Sequence, residues 1–138
     1  MSATVDLLAR VPLFKDLPRK TLQRLERIAV SRAFKKGEDI VKEGDRGAGF
    51  FLITSGKVEI LKGGSQLNTL GPGDFFGEMA LLDNHPRVAT VRALEDTACI
   101  AMSRWDFVAE LRSNPDIALE MLEVLSGRLR QLEERFAE

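Results

Sequence analysis

Histidine, tryptophan and cysteine each occur once in the 138 residues, and tyrosine does not occur. A single cysteine, Cys99, excludes an internal disulfide. Its setting in the apolar run Ala98-Cys99-Ile100-Ala101 reads as a small buried hydrophobe. A single histidine, His85, excludes the cluster of His and acidic ligands that a metal enzyme of the β-roll type needs. No catalytic residue, metal ligand or cofactor is therefore expected. No apolar run is long enough to span a bilayer. Residues Met1–Arg10 lack the basic start and apolar stretch of a secretory signal, so the expected location is cytoplasmic. Charge of neither sign is in excess: 20 Lys and Arg against 21 Asp and Glu give a net charge of −1. A broad nucleic-acid footprint needs a basic surplus, so no DNA binding is expected.

What is there reads as one domain over residues 1–138, 44% hydrophobic and 30% charged. Residues 1–29 are expected to be helical. Val5–Arg10 suggests a short helix, and Leu17-Pro18-Arg19 opens a second with Leu22, Leu25, Ile28 and Ala29 at helical spacing. From Val30 the period changes to two. Turn signals stand at Lys36-Gly37, Gly44-Asp45, Ser55-Gly56, Gly63-Gly64 and Gly71-Pro72-Gly73. They separate predicted strands at Ser31–Phe34, Asp39–Lys42, Phe50–Thr54, Val58–Lys62, Gln66–Leu70, Asp74–Phe76, Val88–Leu94 and Thr97–Ser103. Short, evenly spaced strands with glycine turns imply a mainly β fold, a sandwich or a roll, with flanking helices.

Residues 104–138 are expected to be helical again. Ser103-Arg104-Trp105-Asp106 resembles a capping box, and Asn114-Pro115 opens a long last helix. Trp105 reads as structural. On the last helix Ala118, Leu122, Leu125, Leu129, Leu132 and Phe136 form an a/d seam, flanked in its first half by Ile117, Met121 and Val124. A seam of this kind suits a homodimer or an effector protein.

The chemistry gathers in Phe75–Val91. Gly77 breaks the strand before it, Glu78–Leu82 is expected to form a short helix, and Asp83-Asn84-His85-Pro86 is a polar loop. A helix N-terminus offers unpaired backbone N–H groups to an anion, here near Gly77, Met79 and Ala80. Arg87 brings a planar, permanent cation able to hold two phosphate oxygens. Glu78 suits no phosphate, but it suits a sugar hydroxyl on the same ligand. A nucleotide with its phosphate close to its ribose answers both demands.

Phe76-Gly77-Glu78-Met79-Ala80-Leu81-Leu82 followed by Pro86-Arg87-Val88-Ala89-Thr90-Val91 resembles the phosphate-binding cassette of cyclic-nucleotide-binding domains. This is the superfamily of the catabolite activator protein, protein kinase A regulatory subunits and cyclic-nucleotide-gated channels. Pro12-Leu13-Phe14, Phe34–Glu38, Glu43-Gly44-Asp45 and Ile53–Val58 match its framework motifs in order. The resemblance implies an eight-stranded antiparallel β-roll, or jelly roll, over residues 30–103. Its cassette would be 75–91, with N-terminal helices, a short cassette helix and a long C-terminal helix around it. It implies a regulatory module rather than an enzyme, signalling through its terminal helices. The ligand would be cAMP, with cGMP as the alternative. The binding residues would be Phe76, Gly77, Glu78, Met79, Ala80, Arg87, Val88 and Ala89. Ile60 and Leu70 would wall the base, and Arg128, Leu129 and Leu132 would cover it. The competing reading is the same fold without a nucleotide, serving as a dimerisation or interaction module. A haem-binding variant would use His85 or Cys99 as axial ligand.

Overall fold

The computed structural model describes residues 3–46, 49–83 and 85–137. It divides into two compact units, Ile28–Phe107 and Met1–Arg27 with Val108–Glu138.

The first unit is an antiparallel β-roll. Its strands are β1 (Val30–Phe34), β2 (Asp39–Val41), β3 (Gly49–Ser55), β4 (Val58–Lys62), β5 (Ser65–Leu70), β6 (Phe75–Phe76), β7 (Thr90–Ala93) and β8 (Thr97–Ser103). They form two four-stranded sheets, ordered β1-β8-β3-β6 and β2-β7-β4-β5. One helix, α3 (Ala80–Asp83), lies between β6 and β7 in sequence. Alternation sets the core: Phe34, Ile53 and Cys99 from the first sheet are buried with Val58, Val91 and Ala93 from the second. Phe34, Ile53, Val58 and Val91 each contribute about 1.5–3 kcal/mol on leaving water. Cys99 is 1% exposed within this cluster, and burial pushes its thiol up to about 11. Its place inside the packed core, not its acidity, is what sets Cys99 away from any ligand.

The turn between β3 and β4 shows how the glycines set register. Gly56 has φ +93°, and a Cβ there would lie 2.5 Å from Thr97 Oγ1 and 2.6 Å from the Asp96 carbonyl. Thr97 is 3% exposed. Its hydroxyl donates to the Glu95 carbonyl at 2.8 Å and accepts from the Lys57 N–H at 3.3 Å. Only a residue without a side chain lets this hydroxyl tie the two ends together.

In the second unit, α1 (Ala3–Leu8) and α2 (Arg19–Glu26) accompany α5 (Pro115–Ala137). Helix α4 (Arg104–Ser113) carries the chain from the roll to this unit. The Ser103 hydroxyl caps α4, accepting from the Asp106 N–H at 3.0 Å, as the capping-box reading requires. Thr21 donates to Glu120 at 2.7 Å and Arg24 to Asn114 at 3.2 Å, joining α2 to α5 and to the residue before it. Leu22 and Leu25 are buried, but α2 stops at Glu26, so Ile28 and Ala29 are not part of its stripe. On α5, Val124 of the flanking stripe and Ala118 and Leu125 of the seam are half-buried. Ile117 and Met121 are buried at 0% and 3%, while Leu122, Leu129, Leu132 and Phe136 of the seam are 46–88% exposed. Trp105, read from the sequence as structural, is 83% exposed.

Candidate functional site

Strand β6 ends where the site begins. Phe76 pairs with Phe51 of β3 and stacks on its ring, centroids 5.2 Å apart at 17°. The predicted strand included Asp74; its carbonyl does accept from the Ile53 N–H of β3 at 2.9 Å, but its own N–H donates to the Gly71 carbonyl at 3.0 Å and its carboxylate accepts from the Gly71 N–H at 2.9 Å, so the preceding turn takes its other half. Gly77 follows with φ +84°. A Cβ at this position would lie 2.5 Å from both Arg87 Nη1 and the Gly49 carbonyl oxygen. The backbone therefore reverses here against another strand and against the arginine at once, and the residue type is dictated by both.

The left-handed Gly77 also shortens the predicted helix. Ala80 N–H donates to the Gly77 carbonyl, Leu81 to Glu78 and Leu82 to Met79, each one residue tighter than an α-helical bond. Only Asp83, donating to Met79 at 3.2 Å, closes an α-turn. The helix accordingly spans Ala80–Asp83 rather than Glu78–Leu82, and the Ala80 amide is spent inside the turn. The amides of Glu78 and Met79 find no acceptor among the described residues.

Arg87 is fixed from its backbone outward. Its N–H donates to the Asp45 carbonyl and its carbonyl accepts from the Gly44 N–H, both at 2.8 Å. Strand β7 starts later than predicted, at Thr90, because Arg87 is bound to the β2–β3 loop and Val88 and Ala89 bend the chain. The Arg87 side chain reaches back, and Nη2 donates to the Gly49 carbonyl. Its Nε is buried and without a hydrogen-bond partner. Burial draws the guanidinium pKa down from its ordinary value. Among the described residues neither Arg87 nor Glu78 takes part in an ion pair. A half-buried cation without a counter-charge has unspent capacity for an anion.

A cavity of about 420 Å³ opens beside this arginine. Val41, Ile60, Phe76 and Val91 give it apolar walls; Gly77, Met79, Ala80, Asp83, His85, Pro86, Arg87, Val88 and Ala89 complete it. Seven of the eight predicted binding residues thus line one space, together with Ile60. Glu78, the eighth, is half-buried in the Gly77–Met79 turn and is not in the lining. Leu70 packs against the roll core opposite Val58. Arg128, Leu129 and Leu132 belong to the helical unit, where Arg128 lies 3.9 Å from Asp16. Asn84 lies outside the described residues. The predicted binding set left out Asp83, His85, Pro86, Val91 and Val41; the first four lie within the cassette stretch, whereas nothing in sequence brings Val41 to it. Among the described residues no His, Cys, Asp and Glu group is arranged to hold a metal, and no helix is long and apolar enough to cross a membrane.

Known proteins resemble this chain in sequence and in fold. The family model for the cyclic nucleotide-binding domain matches residues 31–114. The chain is 37% identical over 125 residues to the cyclic AMP receptor protein of Thermus thermophilus, covering 87% of this chain and 58% of that protein. It is 40% identical over 97 residues to the cGMP-dependent protein kinase of Toxoplasma gondii, covering 70% of this chain and 10% of the kinase. Among solved structures, the N-terminal domain of a transcriptional regulator from Streptomyces coelicolor superposes with a TM-score of 0.82 at 29% identity. That match covers 94% of this chain and 96% of the other. The chain thus spans little more than half of one curated relative and a tenth of the other. Matched over more than half its residues, it belongs to the cyclic nucleotide-binding domain family.

Proposed function

We propose that the cavity beside Arg87 binds cAMP, with the cyclic phosphate on the guanidinium and the purine against Ile60, Val41 and Val91. The observation that carries the reading is Arg87 itself: half-buried, lacking a carboxylate partner, its Nε without an acceptor, on the wall of an apolar cavity. A cyclic phosphate supplies the missing charge, and the free amides of Glu78 and Met79 supply further donors. Glu78 then accepts from the ribose 2′-hydroxyl after the cassette turn closes on the ligand.

The preference for cAMP rests on Val88. Relatives that favour cGMP often carry a threonine at this place, whose hydroxyl reaches guanine. Val88 has no hydroxyl and is 75% exposed at the rim, available for a ligand to cover. The module is regulatory rather than enzymatic. It signals through its terminal helices, with Arg128, Leu129 and Leu132 of α5 as the moving part, and acts in the cytoplasm. The exposed seam Leu122, Leu129, Leu132 and Phe136 supports a homodimer as the signalling form. Calorimetric titration with cAMP and cGMP tests the reading. It predicts one site per chain with tighter binding of cAMP; no heat with either nucleotide leaves the interaction-module reading in its place.

A further inference from the structure

We propose that His85 is a second, proton-dependent contact for the anionic ligand of the Arg87 cavity; this rests on the nucleotide-binding reading above. The lining carries three ionisable side chains, Asp83, His85 and Arg87. Strands β2, β4, β6 and β7 contribute only Val41, Ile60, Phe76 and Val91 to it. On the other side of Arg87, the β2–β3 loop brings Glu43 and Asp45. The Glu43 carboxylate is taken by the Gly63 N–H at 3.0 Å, and Asp45 meets Arg87 through its backbone carbonyl.

Asp83 is a carboxylate on the wall of an anion cavity, which by itself opposes the ligand. Both of its oxygens are turned to His85. Oδ1 accepts the His85 backbone N–H at 3.2 Å, and Oδ2 lies 3.9 Å from His85 Nε2. The His85 side chain is 79% exposed and lines the same cavity as Arg87. Protonation of His85 adds one positive charge to that wall beside Asp83. Histidine makes this change between about pH 5 and 8, while a cyclic phosphodiester keeps its single negative charge throughout.

An anion in the cavity favours the protonated imidazole over the neutral one, so binding takes up protons and affinity rises as pH falls.

The test is calorimetric titration of the full chain with cAMP at about pH 5.5 and pH 8, in two buffers of different ionisation enthalpy at each pH. The parent protein should bind about three- to tenfold tighter at the lower pH and take up protons on binding, the range expected of one exposed charge contact. His85→Gln should flatten the pH dependence and abolish proton uptake. Asp83→Asn should retain the dependence and bind tighter at both values. Equal parent affinity at both pH values, or a His85→Gln variant that keeps the parent ratio, overturns the His85 role and leaves the Arg87 site standing. No binding of cAMP at either pH overturns both. A thermal melt of each variant at both pH values excludes unfolding as the cause of any lost affinity.

Discussion

Gly77→Ala is the substitution for which the structure gives the most definite number. The added methyl meets two separate obstacles. Gly77 has φ +84°, a region that costs an L-residue about 1–2 kcal/mol. The methyl would also stand 2.5 Å from Arg87 Nη1 and from the Gly49 carbonyl oxygen. The arginine tip can swing aside. The carbonyl cannot, because Gly49 is paired with Ser103 at the start of β3. The cassette turn must therefore move outward and give up the Arg87–Gly49 hydrogen bond, worth about 1.5–3 kcal/mol with its charged donor. Together these place the loss of stability at about 2.5–5 kcal/mol, read as a lower midpoint in urea with an unchanged m-value. Arg87 leaves its resting position in the same movement, so cAMP affinity should fall by more than about tenfold. Gly127→Ala is the internal control. Its Cβ would meet nothing within 4 Å, and in mid-helix the change should stabilise by about 0.5–1 kcal/mol. If Gly77→Ala matches the parent in both midpoint and affinity, the packing of turn, strand and arginine argued here is wrong.

Three further outcomes follow from the same geometry. Glu78→Gln should weaken cAMP while changing 2′-deoxy-cAMP much less, measured by competition; equal losses for both would show that Glu78 does not read the 2′-hydroxyl. Val88→Thr should improve cGMP relative to cAMP by up to about tenfold, one net hydrogen bond, and a parent that already prefers cGMP contradicts the argument. Replacing Leu129 and Leu132 together by Glu should halve the mass seen by light scattering. Monomer stability should change by under about 0.5 kcal/mol per site, because both side chains are 46–58% exposed; an unchanged mass would remove the seam.

The roll was legible because its signals are local. Alternation marks which residues of β3, β4 and β8 face the core, and turn glycines mark where strands stop. Boundaries slipped where a side chain or a distant backbone group took over. The Asp74 N–H went to the Gly71 carbonyl of the preceding turn, and β7 waited until Thr90 because Arg87 was already bonded to the β2–β3 loop. The site was legible as a set of residue types, Gly77 with Glu78 and Arg87, since one turn and one strand start bring them near each other. The Gly49 carbonyl under Arg87 was not, because that contact joins residues 38 apart. Asp83 and His85 read as an ordinary polar loop; only the folded cassette turns that loop to the cavity. The exposure of Trp105 was not legible either, because it depends on which face of α4 the chain buries, here that of Phe107.

The central claim is that Arg87 is held ready for a cyclic phosphate. Its most direct measurement is calorimetric titration of cAMP into the parent and into Arg87→Leu, with a urea melt of both. Removing a charge-assisted contact worth about 1.5–3 kcal/mol predicts at least a tenfold loss of affinity in a protein that still unfolds cooperatively. A folded Arg87→Leu protein that binds cAMP as tightly as the parent would contradict it.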